Sequence, residues 1–152
     1  SFDVTGLREL EQALLSLGAV TGKKALMQAG RKAMKPVLEA AIQGANKDTG
    51  DLRKSMAIRG RKGKGNARTA NIMVGSFRTS FTEKRNGQKQ KRQISQQYMK
   101  VISQEYGNSR QSAKPFLRPA LSNNASTVVD LFKAELKNSI EKAAKRAAIK
   151  AK

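Results

Sequence analysis

Three places in the 152-residue chain set reactive side chains at spacings that enzymes use. Asp48-Thr49-Gly50 is the triplet that, in duplicate, brings two carboxylates to one water in aspartic proteases. Such triplets follow a hydrophobic strand, whereas Asn46 and Lys47 precede this one and a further carboxylate, Asp51, follows it. A polar turn leading into a helix accounts for it better. Ser139-Ile140-Glu141-Lys142 has the spacing of a serine–lysine nucleophile pair, but it lies in a lysine-rich amphipathic pattern where that spacing arises by chance. Gly60–Gly65 is glycine-rich and basic, yet lacks the Gly-Lys-Ser/Thr ending of a phosphate-binding loop. The chain has no Cys and no His, which excludes zinc fingers, thiol nucleophiles, Ser-His-Asp triads and disulfides. No catalytic set is predicted, and neither a metal nor a cofactor is expected.

The chemistry that remains is that of charge. Lys and Arg number 31 against 11 Asp and Glu, a formal net charge of +20. A compact chain with that excess repels itself, so a polyanion or an acidic partner is expected to neutralise part of it. The excess is uneven. Residues 59–92 hold 11 basic side chains and one acid, Glu83, a net +10, and residues 133–152 hold 7 and 2, a net +5. Two basic groups stand out in the first of these regions. Arg59, Arg61, Lys62, Lys64 and Arg68 surround a glycine-rich stretch, and Arg78, Lys84, Arg85, Lys89, Lys91 and Arg92 follow it. Such side chains neutralise phosphate and release counterions without reading base sequence, or they steer docking onto an acidic protein surface. Aromatic residues enter the run only as Phe77 and Phe81, so base stacking is weakly supported.

The elements that must carry these charges follow from periodicity. At 38% hydrophobic and 5% aromatic, the chain suits one domain with a modest core. Leu7, Leu10, Leu14 and Leu17 recur at helical spacing, with Gly18 as the stop. Thr21 is positioned to cap a second helix with the stripe Leu26, Ala29, Ala33, Val37, Ala41 and Ala45. Pro36 lies inside that stripe and predicts a kink or two abutting helices. Asn46–Gly50 is a turn, and residues 55–59 and 71–75 are short strands joined by a basic hairpin loop at 60–68. Residues 77–93 hold too little apolar surface to pack and are expected to be a flexible basic arm that orders on binding. A helix over 94–106 carries Ile94, Tyr98, Val101 and Ile102. Pro115 and Pro119 bracket Phe116-Leu117-Arg118 as an extended anchor. A last helix from about Ser126 shows Val129, Phe132, Leu136, Ile140 and Ala144 on one face, with residues 145–152 a frayed basic tail. No apolar run approaches the roughly 18 residues of a membrane span. The N-terminal residues lack the basic and apolar regions of a signal peptide, so a cytosolic product is expected.

Three ordered stretches carry a family resemblance. They are Thr49-Gly50-Asp51-Leu52-Arg53-Lys54-Ser55, then Glu105-Tyr106-Gly107-Asn108, then Ala113-Lys114-Pro115-Phe116-Leu117-Arg118-Pro119-Ala120. In this order, after a Leu-rich and an Ala-rich helix, they resemble the tail-completion (neck) proteins of long-tailed bacteriophages. That family is also described as head–tail joining or minor tail components and includes the lambda minor tail protein Z type. The resemblance implies a non-enzymatic virion subunit of α+β fold, with long amphipathic helices packed on a small antiparallel β-sheet. It implies a homo-oligomeric ring, hexameric by preference, assembled in the host cytoplasm. The ring would stand between the connector or stopper protein and the tail terminator or tail-tube protein, around genomic double-stranded DNA, with no membrane role. Within the motifs, Gly50 and Gly107 are expected as turn residues and Phe116 and Leu117 as buried anchors. Arg53 and Arg118 would pair with Glu105 or Asp51, with the choice open. Tyr106 and Asn108 stand where the family has Phe and Thr, and the stretch 77–93 is longer and more charged than its norm. On this reading the tip at 60–68 faces DNA in the channel and 77–93 docks a partner. The alternative is a free basic nucleic-acid-binding protein, which leaves the Ala-rich helix and the Pro-Phe-Leu-Arg-Pro-Ala anchor unexplained.

Overall fold

A computed structural model describes residues 7–48, 50–64 and 69–150. The described residues form seven helices and four strands, an α+β architecture with two separate two-stranded antiparallel sheets. They divide into two compact units, one from residues up to 36, 58–73 and from 124 onward, the other from 37–57 and 74–123.

The first unit is helical at heart. Helix α1 (Leu7–Ser16) and helix α2 (Ala19–Ala33) pack with the long helix α7 (Ala125–Lys150). Ala25 and Ala29 of α2 and Leu136 and Ile140 of α7 are buried together, and Leu10, Leu14, Leu17, Leu26 and Phe132 close around them. Alanine at the α2 positions lets the two backbones approach, and each buried Leu or Ile contributes about 1.5–3 kcal/mol. Gly18, at φ 82°, turns the chain between α1 and α2, so α2 starts at Ala19 and Thr21 lies inside it rather than capping it. The strand segments of this unit pack on the other side of α2. A Cβ on Gly30 would come within 2.6 Å of Ile72 Cγ1, so only glycine admits that side chain. Helix α7 continues to Lys150, and its last turns are rich in alanine, the best helix former.

The second unit contains α3 (Lys35–Gly44) from Val37 onward, α4 (Asp51–Ser55), α5 (Tyr98–Tyr106) and α6 (Leu117–Asn123). Pro36 occupies the first turn of α3, immediately after α2 ends, where its missing N–H costs nothing. Two abutting helices are therefore the outcome of that proline. Val37, Ala41, Leu52, Met56, Ile94, Phe116 and Ala120 are buried here. The Oγ atoms of Ser55 and Ser76 are hydrogen-bonded at 2.7 Å in the interior, and the Phe77 N–H donates to the Ser55 carbonyl.

Strand β1 (Met56–Lys62) pairs with β2 (Ala70–Ser76), and both are longer than the sequence suggested. Gly60, Arg61 and Lys62 are thus strand rather than loop, and residues 65–68 lie outside the described residues. The larger difference is at 77–93. Thr79–Arg85 (β3) and Gln88–Ile94 (β4) form an antiparallel hairpin in place of an irregular arm. Its turn is Asn86-Gly87, with φ 50° and 78°, the doubly positive geometry that matches strand twist. Ile94 accordingly ends a strand, and the following helix begins only at Tyr98. The anchor also differs: Leu117 opens α6 and Pro119 sits in its first turn, leaving Pro115 and Phe116 as the irregular approach.

Candidate functional site

The three sequence motifs meet in the second unit as a frame of hydrogen bonds to main-chain groups. A helix ends with its last carbonyls unpaired, and α3 ends among several donors. Arg53 gives its Nε to the Ala45 carbonyl and its Nη2 to that of Gln43, both at 2.9 Å. Gln104 gives its Nε2 to the Gly44 carbonyl at 2.7 Å and accepts the Asn46 N–H at 2.9 Å. Arg53 therefore binds carbonyls, not Glu105 or Asp51. Gln104, only 3% exposed, was missed in the sequence, where nothing distinguishes it from other Gln residues.

Glu105 performs the matching task at the start of α6. Its Oε1 accepts the Phe116 N–H at 2.5 Å and the Leu117 N–H, and its Oε2 accepts Arg118 Nε at 3.0 Å. Arg118 returns an Nη2 hydrogen bond to the Glu105 carbonyl and lies over the Tyr106 ring, 4.6 Å from its centroid. Burial pushes the Glu105 carboxyl upward, but the Leu117 and Phe116 N–H groups and Arg118 outweigh it and hold the group below its ordinary value. Gly107 leaves α5 at φ 75°, and a Cβ there would lie 2.7 Å from the Ala113 nitrogen, so this turn requires glycine. Phe116 is 3% exposed against the last turn of α3. Leu117 is half-buried, and Pro115 is exposed.

The first motif reaches the hairpin. Gly50, at φ 78°, opens α4, while Thr49 lies outside the described residues. Leu52 is buried at 3% exposure. Asp51 holds Arg92 of β4 at 2.5 Å, and Lys54 Nζ stands 4.3 Å from the centroid of the Phe81 ring in β3. Arg92 is thus a strut of the hairpin rather than a free docking charge. Pairing places Thr79, Phe81, Glu83 and Arg85 on one face with Ile94, Arg92, Gln90 and Gln88. The opposite face is Ser80, Thr82 and Lys84 with Gln93, Lys91 and Lys89, all exposed and without a single acid. Lys84 faces Lys89 directly across the ladder, an arrangement unfavourable for the isolated chain. Arg78 donates to Gln93 at 3.2 Å beside that face.

In the first unit, Arg59 and Arg61 point away from the side of β1 on which Gly60 meets Met27, and both are exposed. Lys62 and Lys64 are exposed, Lys23 of α2 ties down the Gly63 carbonyl at 3.2 Å, and Arg68 lies outside the described residues.

Fold and site together define an α+β protein whose motif residues brace a cationic β-hairpin. The chain belongs to the HK97-gp10-like family: the family model described as "Bacteriophage HK97-gp10, putative tail-component" matches residues 8–84, half of the chain. Membership makes it a bacteriophage tail component and places it in the virion. The matched span runs from α1 into β3 and includes the first motif, whereas Glu105–Asn108 and Ala113–Ala120 lie beyond it. No curated protein and no solved structure matches the chain. No helix among the described residues is long and apolar enough to cross a membrane.

Proposed function

We propose that the protein is a structural subunit of the phage neck, a ring that completes the tail and joins it to the capsid connector around the DNA channel. Six copies are preferred, because the tail tubes of the resembled phages are built from six-membered rings, and heterologous contacts close into a ring when the rotation permits. The observation that carries the reading is the acid-free face of Lys84, Lys89 and Lys91 on a hairpin braced by Asp51 and Lys54 in a tail-component family. A preformed hairpin loses less freedom on docking than an irregular arm does, so its charges steer assembly at lower cost. Its partner is the connector or stopper on one side, or the tail terminator or tail tube on the other. The β1–β2 end, with Arg59, Arg61, Lys62 and Lys64, is assigned to the channel, where phosphate contacts are sequence-blind and let DNA slide.

Replacing Lys84, Arg85, Lys89 and Lys91 with Gln, and leaving Arg92 in place to hold the hairpin, separates the roles. Failure of heads and tails to join supports docking by this hairpin. Joined particles with abnormal DNA retention or ejection assign it to the channel instead. Normal joining with normal infectivity refutes both. Electron microscopy of the purified protein, alone and with tails, tests for the ring itself.

A further inference from the structure

We propose that a second docking site, independent of the hairpin and of the neck assignment, lies in the first unit, and that it takes an acidic amphipathic helix of another protein. Helix α7 runs ten residues past Ile140, the last of its residues to be buried. Helical stability in proteins comes mostly from tertiary packing, and among the described residues this extension buries no side chain. It passes the corner between α1 and α2 and leaves a groove of about 560 Å³. Leu17, Ala143, Ala147 and Ile149 supply an apolar floor, and Ile149 is 73% exposed. Lys24 on one wall and Lys142, Arg146 and Lys150 on the other surround it, and among the described residues no acidic side chain lines the groove.

The chemistry of the lining selects the occupant. An apolar floor between cationic walls matches a helix with a stripe of apolar residues flanked by Asp and Glu, the helix-in-groove mode of recognition. Duplex DNA would satisfy the four cations but leave the floor uncovered. A second copy of this chain is poorly suited, because it brings 11 acids against 31 bases, and Asp51, Glu105 and Glu135 already hold arginine or lysine partners.

The test uses the full chain and a fluorescent synthetic peptide of leucine and glutamate patterned as an amphipathic helix, read by anisotropy. A scrambled peptide of equal charge without an apolar stripe and a short DNA duplex serve as competitors. The patterned peptide is expected to bind at least tenfold more tightly than the scrambled one. Lys142→Glu with Arg146→Glu should weaken it tenfold or more, as should Lys24→Glu on the opposite wall. Lys84→Gln, Lys89→Gln and Lys91→Gln together should leave binding unchanged. Circular dichroism confirms that each exposed-site variant keeps its helix content, and Lys24→Glu provides a readout that does not alter α7. Equal binding of both peptides, indifference to the groove variants, or loss of binding in the hairpin variant would overturn the proposal. Displacement of the peptide by duplex DNA at equal concentration would also overturn it and assign the groove to polyanions.

Discussion

Removing the Glu105 carboxylate should be among the most damaging single changes available outside the apolar core. The group is 3% exposed and accepts two main-chain N–H groups and one Arg118 N–H. Each hydrogen bond to a charged acceptor contributes about 1.5–3 kcal/mol, whereas Arg118, with its side chain 59% exposed, adds little as an ion pair. Glu105→Ala leaves the Phe116 and Leu117 donors unmatched at the start of α6, an expected loss of about 3–5 kcal/mol. Glu105→Gln keeps one acceptor oxygen of similar reach and should cost about 1–2 kcal/mol. Urea unfolding followed by circular dichroism measures both, with the slope checked for constancy. The pH dependence supplies the sharper test. Because the folded carboxyl titrates below its ordinary value near 4.5, its stabilisation is fully present above that value. It is lost as pH falls through the lower folded value. The gap between the parent protein and Glu105→Gln should therefore narrow in acid. A Gln variant as stable as the parent at neutral pH, or a gap that does not close in acid, would refute this account of Glu105.

Other expectations rest on single contacts. Phe116→Ala should cost about 3–5 kcal/mol by denaturant unfolding, since the ring is buried against the end of α3. Gly107→Ala should cost about 1–3 kcal/mol by the same measure, because φ 75° and the Ala113 nitrogen both oppose a Cβ. Leu136→Ala in the first unit should cost about 2–5 kcal/mol, read as a lowered thermal midpoint. Lys89→Glu exchanges a like-charged cross-strand pair for an opposite one, so the hairpin should gain about 0.2–1 kcal/mol while head–tail joining falls.

Much of the frame was legible in the residues. The leucine stripe marked α1, the alanine stripe α2, and Val129, Phe132, Leu136 and Ile140 marked α7, while Pro36 announced the break between α2 and α3. Gly50 and Gly107 take the positive φ that a turn residue there needs. What escaped had physical reasons. The hairpin at 79–94 carries almost no apolar alternation, because one face is wholly solvated and the other is covered mainly near its base. Asn86-Gly87 is the one turn signal there, and the low hydrophobicity of its flanks masks it. Arg118 pairs with Glu105 and Asp51 with Arg92, choices that require contacts 13 and 41 residues apart in sequence. The role of Gln104 is invisible without the fold, since it depends on two main-chain atoms 58 and 60 residues away.

The distribution of partners among the charges explains why a subunit would keep so unfavourable a hairpin. Arg92, Arg118 and Lys32 are held by Asp51, Glu105 and Glu135, and they serve the fold. Lys84, Lys89 and Lys91 share a face that has no acid to balance them. In a free subunit those lysines repel one another at a cost of some tenths of a kcal/mol, which the Asn86-Gly87 turn and the Asp51–Arg92 strut offset. Screening by salt relieves part of that repulsion and at the same time weakens attraction to any acidic surface. Repulsion among those lysines and affinity for an acidic partner should therefore fall together as ionic strength rises. On the proposed docking role, that coupling is expected of an element whose charges are balanced by its partner.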